Sequence, residues 1–358
     1  MSFVPPIYPY ERLADAKAAA EKLPGGLVDL SIGTPCDPPP AEVVAALSSS
    51  GLERGYPMSV GSTRYREAAA RWMDRRLGVQ VDPADVFACV GTKEFVATTP
   101  QWLKLRTPER DTVLYPAVSY PTYEMGATLA GCRAVPFETL ADVDDADADR
   151  ALCLWVNSPS NPTGEVLDLA AAAAWGRARG VPVLSDECYV EFTWAGEKRS
   201  ILQHGVDGVV ALHSISKRSN LAGLRAGFYA GDPELVRYLG EVRKHVGMLV
   251  PGPVQAAAAV ALDDDAHVED QRARYWDRLE RFREILAKLG LSAPLPQGGF
   301  YLWAPVDDAW AFTDRLAREG GALVSPGEFY GPAGAGWVRV ALVQPRERLE
   351  LVVSRLGL

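Results

Sequence analysis

Between Val86 and Lys244, short apolar, β-branched runs alternate with stretches of helical character, and no other feature limits the fold so tightly. Strands are expected at Val86–Val90, Thr112–Tyr115, Arg133–Phe137, Ala151–Val156, Val181–Ser185, Val209–His213 and Leu224–Ala230. Helices are expected at Thr92–Leu105, Thr122–Ala130, Asp168–Arg179 and Pro233–Lys244. Strands that are apolar almost throughout cannot leave one face in water, so helices must cover both. The fold class is therefore α/β, a seven-stranded, mostly parallel sheet with helices on both faces. A long charged helical pattern from Ala266 to Leu289 then changes the character of the chain. Strands at Phe300–Ala304, Ala322–Val324 and Trp337–Leu342 follow it and read as a smaller α+β unit. The expected division is a large domain over 45–270 and a small domain made from 1–44 and 271–358. A length of 358 residues with 48% apolar content supplies cores for both. Asp142–Asp149 reads as a solvated acidic loop.

Charge and special residues exclude several classes. There are 37 basic and 46 acidic residues, a net charge of −9, and no basic tract, which argues against nucleic acid and anionic membrane as partners. The uncharged stretch from Val246 to Leu262 is broken by Pro251, Pro253 and Gln255 and is too short to span a bilayer. The start MSFVPPIYPYER lacks the basic and apolar regions of a secretory signal. Cys36, Cys89, Cys132, Cys153 and Cys188 are scattered without a CxxC pair, and the four histidines have no ligand spacing. Neither a disulfide framework nor a metal site is expected. These readings point to a soluble, cytoplasmic protein. They leave room for small anions, which a few placed arginines bind regardless of net charge.

In open parallel sheets ligands bind beyond the carboxyl ends of the strands. The residues following the expected strands are Gly91-Thr92-Lys93-Glu94, Pro116 to Tyr123, Asn157 to Gly164, Asp186-Glu187-Cys188-Tyr189, and Ser214-Ile215-Ser216-Lys217, with Leu224-Arg225 opening the last strand. Five strand ends thus deliver polar groups to one edge. Lys217 is the residue around which the others make sense. A lysine at a buried strand end loses part of its preference for the charged form, and a neutral amine forms a Schiff base with an aldehyde. Pyridoxal phosphate would need four further things from the site: an anion at its ring nitrogen, donors at its phenolic oxygen, contacts for its phosphate and a flat face. Asp186 can supply the first, and Tyr189 with Asn161 the second. The start of a helix at Gly91 and Thr92, with Ser214, Ser216 and Arg225, can supply the third. Tyr120 can supply the fourth. Taken singly, each has an ordinary reading. Asn161-Pro162-Thr163-Gly164 makes a good turn, Gly91-Thr92 a helix start, Cys188 a buried thiol and His213 a satisfied core histidine.

The run Ser214-x-Ser216-Lys217-x5-Gly223-x-Arg225-x-Gly227 resembles the lysine signature of fold-type I pyridoxal-phosphate aminotransferases of class I/II. The family's other marks stand in the same order: Asn161-Pro162-Thr163-Gly164, Asp186-x-x-Tyr189, Lys217, and Arg339 in a late strand. The resemblance runs from about Gly33 to the C-terminus. It implies a fold-type I transferase in which Lys217 holds the cofactor and moves the substrate proton. Asp186 then partners the pyridinium, Tyr189 and Asn161 the phenolate, and Tyr120 stacks. Gly91, Thr92, Lys93, Ser214, Ser216 and Arg225 fall at positions that hold the cofactor. Arg339 grips the substrate α-carboxylate, close to Asn161 and the backbone of Gly33. Tyr56 matches a tyrosine that reaches the neighbouring subunit's cofactor, which implies a homodimer with shared sites. No metal is implied.

A narrower resemblance concerns substrate. Arg218-Ser219-Asn220 after the lysine, Glu241-Val242-Arg243-Lys244-His245 and Val250-Pro251-Gly252-Pro253-Val254-Gln255 look like actinobacterial succinyldiaminopimelate aminotransferases of lysine biosynthesis. Glutamate and 2-oxoglutarate would serve as the other substrate pair. The substrate's far carboxylates require a second cation, for which Arg218, Arg64 and Lys93 are candidates. An aspartate or other amino-acid aminotransferase, a carbon–sulfur β-lyase on the same fold, and a non-catalytic binding protein are the alternatives.

Overall fold

The computed structural model describes residues 3–48 and 51–358. One sheet contains seven strands, in the order Val86–Cys89, Gly227–Gly231, Val209–Ser214, Val183–Asp186, Ala151–Asn157, Thr112–Pro116, Arg133–Phe137. Every neighbouring pair is parallel except the two made by Gly227–Gly231, which runs against both of its neighbours. The period-2 alternation of side chains splits the strands between two cores. Val183, Val209, Ala211, Phe228 and Ala230 enter one, while Leu184, Val210, Leu212 and Tyr229 enter the other. Both faces are covered, as near-continuous apolar strands require.

Some expected boundaries move, each for a local reason. The last sheet strand begins at Gly227 rather than Leu224, because Ala222–Leu224 forms a 3-10 turn and Arg225 takes a left-handed backbone conformation at φ 54°. Val181 does not open its strand. Its N–H closes the preceding helix on the Gly176 carbonyl at 2.9 Å, and Pro182 has no N–H to offer a ladder. The segment expected to be an acidic loop instead contains the 3-10 helix Leu140–Asp142 and the α-helix Asp145–Asp149. Asp142 and Asp144 accept backbone N–H groups there, so their acidity serves as helix capping.

A further core gathers Val28 and Leu30 with Leu279, Phe282, Leu302, Val338 and Val340, joining residues from both ends of the chain. The expected strand Ala322–Val324 shortens to Ala322–Leu323, and a separate strand follows it. Ala322–Leu323 pairs in parallel with Val28–Asp29, and Ser325–Pro326 joins Trp337–Ala341 and Tyr301–Pro305 in an antiparallel sheet. This second sheet carries Arg339, with Ser325 and Trp303 as its register partners. Among the described residues no helix is long and apolar enough to cross a membrane. None of their His, Cys, Asp and Glu side chains form a group that could hold a metal ion.

Candidate active site

Strand Val209–Ser214 ends where the Ser214 hydroxyl accepts the Ser216 N–H at 3.1 Å, starting the one-turn helix Ile215–Arg218. The turn projects Lys217 from the carboxyl end of the sheet. In the adjacent strand and the one beyond it, Asp186 and Asn157 are register partners at the same edge. A cavity of about 410 Å³ opens there, between the sheet edge, the N-terminal segment and the strand bearing Arg339. Lys217, Asp186, Tyr189, Asn161, Tyr120 and Arg225 line it, as do Thr92, Lys93, Ser214, Ser216, Gly33 and Arg339. Gly91 stands at its edge as the N-cap of helix Thr92–Arg106.

Lys217 donates from Nζ to the Gly33 carbonyl. Burial brings its ammonium down to about 8, and the nearby cations Arg339 and Arg225 act in the same direction. Asp186 is buried and its carboxyl is raised, chiefly by desolvation. Its Oδ2 accepts from the Tyr123 hydroxyl at 3.0 Å and its Oδ1 from the Cys188 N–H at 3.2 Å. Among the described residues it has no arginine or lysine at ion-pair distance. A buried carboxylate in that condition is costly unless a cation completes it.

The helix start at Gly91 is built to receive an anion. Gly91 takes φ +74°, where a side chain is strained, and a Cβ there would meet the Arg225 guanidinium, which lies against this turn. Glu94 fixes the turn by accepting the Val90 N–H at 2.8 Å. Glu94 is itself held by buried Arg243, whose Nη1 lies 3.0 Å from Oε2.

Arg339 is 2% exposed and has no carboxylate partner among the described residues. Its Nη1 donates to Asn161 Oδ1 at 2.8 Å and its Nη2 to the Ser31 carbonyl and the Tyr10 hydroxyl. Its guanidinium lies 4.3 Å from the Tyr301 ring centroid and 4.7 Å from that of Tyr330. Its Nε is buried without a hydrogen-bond partner. A forked cation so placed is ready for a carboxylate.

Not every candidate enters the cavity. Arg218, proposed for a distal carboxylate, is turned away from it. Its guanidinium is buried on the Ala261 carbonyl and 3.5 Å from Glu191, where it anchors the lysine-bearing turn to the neighbouring helix. Arg64 is exposed and lies outside the cavity. Tyr56 is 99% exposed on the surface. His213 is a core residue against Trp72 and Phe228, but not a satisfied one. Neither ring nitrogen makes a hydrogen bond, although Nε2 stands 3.5 Å from the Glu187 carboxylate, and burial takes the ring down to about 3. Cys188, read as an ordinary buried thiol, lines the cavity and donates to Thr92 Oγ1 at 3.3 Å.

Other cavity residues escaped the sequence reading. Tyr8 accepts from Lys93 Nζ at 3.1 Å, Tyr10 meets Arg339, and the Tyr301 hydroxyl is 2.7 Å from that of Tyr189.

The sequence profile of aminotransferase class I and II matches residues 26–356. The chain belongs to that family. It is 43% identical to a 4-dedimethylamino-4-oxo-anhydrotetracycline transaminase, OxyQ, of Streptomyces rimosus, over 98% of this chain and 99% of that one. It is equally identical to a probable aminotransferase of Mycobacterium tuberculosis, over 98% of this chain and 85% of the relative. Among solved structures, a probable N-succinyldiaminopimelate aminotransferase from Thermus thermophilus superposes with a TM-score of 0.86 at 33% identity, covering 97% and 98% of the two chains. Class I and II aminotransferases depend on pyridoxal phosphate and act on amino acids and 2-oxo acids. The cavity fits that cofactor. Among the described residues Asp186 has no cation and Arg225 no anion at ion-pair distance, and burial lowers the Lys217 ammonium toward the neutral amine.

Proposed function

We propose that this aminotransferase interconverts N-succinyl-LL-2,6-diaminopimelate and its 2-oxo acid, with glutamate and 2-oxoglutarate as the partner pair. The observation that carries the substrate reading is Lys93. It is a second cation in the cavity that holds Arg339, and its Nζ is engaged by the Tyr8 hydroxyl and ring face but by no carboxylate among the described residues. A substrate with carboxylates at both ends matches two such cations. The structural likeness to the Thermus protein supports the same reading.

Each side chain then has a task. When bound, pyridoxal phosphate supplies an aldehyde that takes up the amino group and a ring that draws electrons from the substrate α-carbon. Lys217 holds the cofactor covalently and, once released, uses its neutral Nζ to remove the α-proton. Asp186 keeps a proton on the ring nitrogen, and Tyr189 and Asn161 donate to the phenolic oxygen. Gly91, Thr92, Ser214, Ser216 and Arg225 hold the phosphate, and Tyr120 covers the ring. Arg339 binds the α-carboxylate beside Asn161 and the Gly33 backbone. Exposed Tyr56 belongs, on this reading, to the cofactor site of a second copy in a homodimer.

Arg339→Lys is expected to lower kcat/KM for every α-amino acid by at least roughly 30-fold, because one ammonium cannot reproduce a bidentate fork. Steady-state kinetics with two unrelated amino donors checks this. A loss confined to one donor would contradict the α-carboxylate role. Lys93→Ala is expected to raise KM for the succinylated substrate roughly tenfold and leave that for alanine unchanged. The decisive experiment mixes the pyridoxal form with succinyl-diaminopimelate, acetylornithine, aspartate, glutamate and aromatic amino acids, and follows loss of cofactor absorbance. Indifference to the succinylated compound would remove the narrow reading.

A second reading rests on the 43% identity to OxyQ: amination of a ring ketone on a polycyclic substrate. A polycyclic ketone that oxidises the amino form of the enzyme would favour it. Release of pyruvate and ammonia from cystathionine would favour a β-lyase.

A further inference from the structure

The hydroxyl groups of Tyr189 and Tyr301 lie 2.7 Å apart in a buried corner of the cavity. At that separation one proton sits between them, and its direction matters. If Tyr189 donated it, Tyr189 would have no proton for a ligand. We infer that Tyr301 is a further positioning residue of the transamination site, donating to the Tyr189 oxygen and so turning the Tyr189 proton toward the cofactor's phenolic oxygen. This rests on the cofactor role proposed above for Tyr189.

Three observations favour that direction. The Arg339 guanidinium stands 4.3 Å over the Tyr301 ring, and a cation on the ring face makes its phenol the better donor. Burial pushes both hydroxyls up, Tyr301 to about 12, and Arg339 is the strongest influence opposing that rise at Tyr301 but only a minor one at Tyr189. The Tyr301 hydroxyl is also confined. It packs against Gly33, where a Cβ would overlap it, and the ring is flanked by Phe300 at 4.8 Å. The charged and titratable groups around it are Arg339 and Tyr189, with Tyr10, Cys188 and Tyr275 also interacting. A chain from Tyr301 through Tyr189 to the ligand polarises each link, so the first hydroxyl strengthens the last hydrogen bond.

The test reads the visible spectrum of cofactor-loaded enzyme as a function of pH. Its midpoint reports the proton shared between the Lys217 nitrogen and the cofactor oxygen. A donor to that oxygen favours its negative, proton-free form, so weakening the donor raises the midpoint. Tyr189→Phe is expected to raise it most, and Tyr301→Phe by roughly half a unit in the same direction. The double variant should match Tyr189→Phe alone, because the outer hydroxyl acts only through the inner one. Phenylalanine keeps the ring contacts, so cofactor-free melting temperatures should agree. A shift in Tyr189→Phe without one in Tyr301→Phe, or additive shifts in the double variant, would overturn the role of Tyr301 alone. No shift in either variant would overturn the role of Tyr189 and this inference with it.

Discussion

Lys217→Ala is expected to reduce the transamination rate by roughly 10⁴-fold or more, because one side chain provides both the attachment and the base. The purified variant should lose the visible absorbance that marks covalent attachment while still retaining cofactor through Arg225 and the helix start at Gly91. Absorption spectra of supplemented wild type and variant, beside turnover, check both parts. A variant that kept the wild-type spectrum would refute the assignment. The same residue predicts a pH dependence of loading. With its ammonium brought down to about 8, a tenth or so of Lys217 is the neutral nucleophile at pH 7, against about one in 3,000 for an unperturbed lysine. The rate at which cofactor-free enzyme becomes coloured should therefore climb as pH rises from 6 toward about 8 and level off above it. A rate still climbing steeply at pH 10 would show an ordinary lysine.

Asp186→Ala is expected to cost roughly 10³-fold in turnover, the scale of removing one partner from a buried charge pair. This carboxylate is held by the Tyr123 hydroxyl and the Cys188 N–H, two neutral donors that do not compensate its charge. On the proposed reading, the protonated ring nitrogen of the bound cofactor would supply the positive charge. Without Asp186 the nitrogen loses its proton and the substrate α-proton becomes far harder to remove. Affinity should fall along with rate, so equilibrium dialysis of pyridoxal phosphate separates the two effects. Asp186→Asn is the sharper comparison: it preserves shape and hydrogen bonding but not charge. Turnover near wild type in Asp186→Asn would show that the charge is not needed.

The parts of the molecule legible in the sequence are those governed by local pattern. The sheet strands stand out because burial on both faces demands apolar residues at nearly every position. The Lys217 turn stands out because Ser214 and Ser216 organise it within three residues. What stayed hidden depends on partners far along the chain. Arg218 follows the reactive lysine directly, and nothing in that neighbourhood says that its guanidinium will be absorbed by Ala261 and Glu191. Tyr301 meets Tyr189 across 112 residues, a juxtaposition created by two sheets approaching each other. The start of the last strand was misplaced for the opposite reason. Leu224 and Ala226 look extended, but Arg225 between them adopts a backbone conformation that carries its guanidinium to Gly91.

The N-terminal segment lends two carbonyls to the cavity, that of Ser31 to Arg339 and that of Gly33 to Lys217. A substrate carboxylate at Arg339 competes with the Ser31 carbonyl for Nη2, and a Lys217 nitrogen bonded covalently to the cofactor gives up its contact with Gly33. Binding is an exchange of partners, so its strength is a difference between two sets of hydrogen bonds and not the sum of one. A carboxylate outcompetes a neutral carbonyl because the hydrogen bond becomes charge-assisted at both ends. An uncharged amide or ester in the same position holds no such advantage. Discrimination against blocked amino acids would then follow from competition with the protein's own backbone carbonyls.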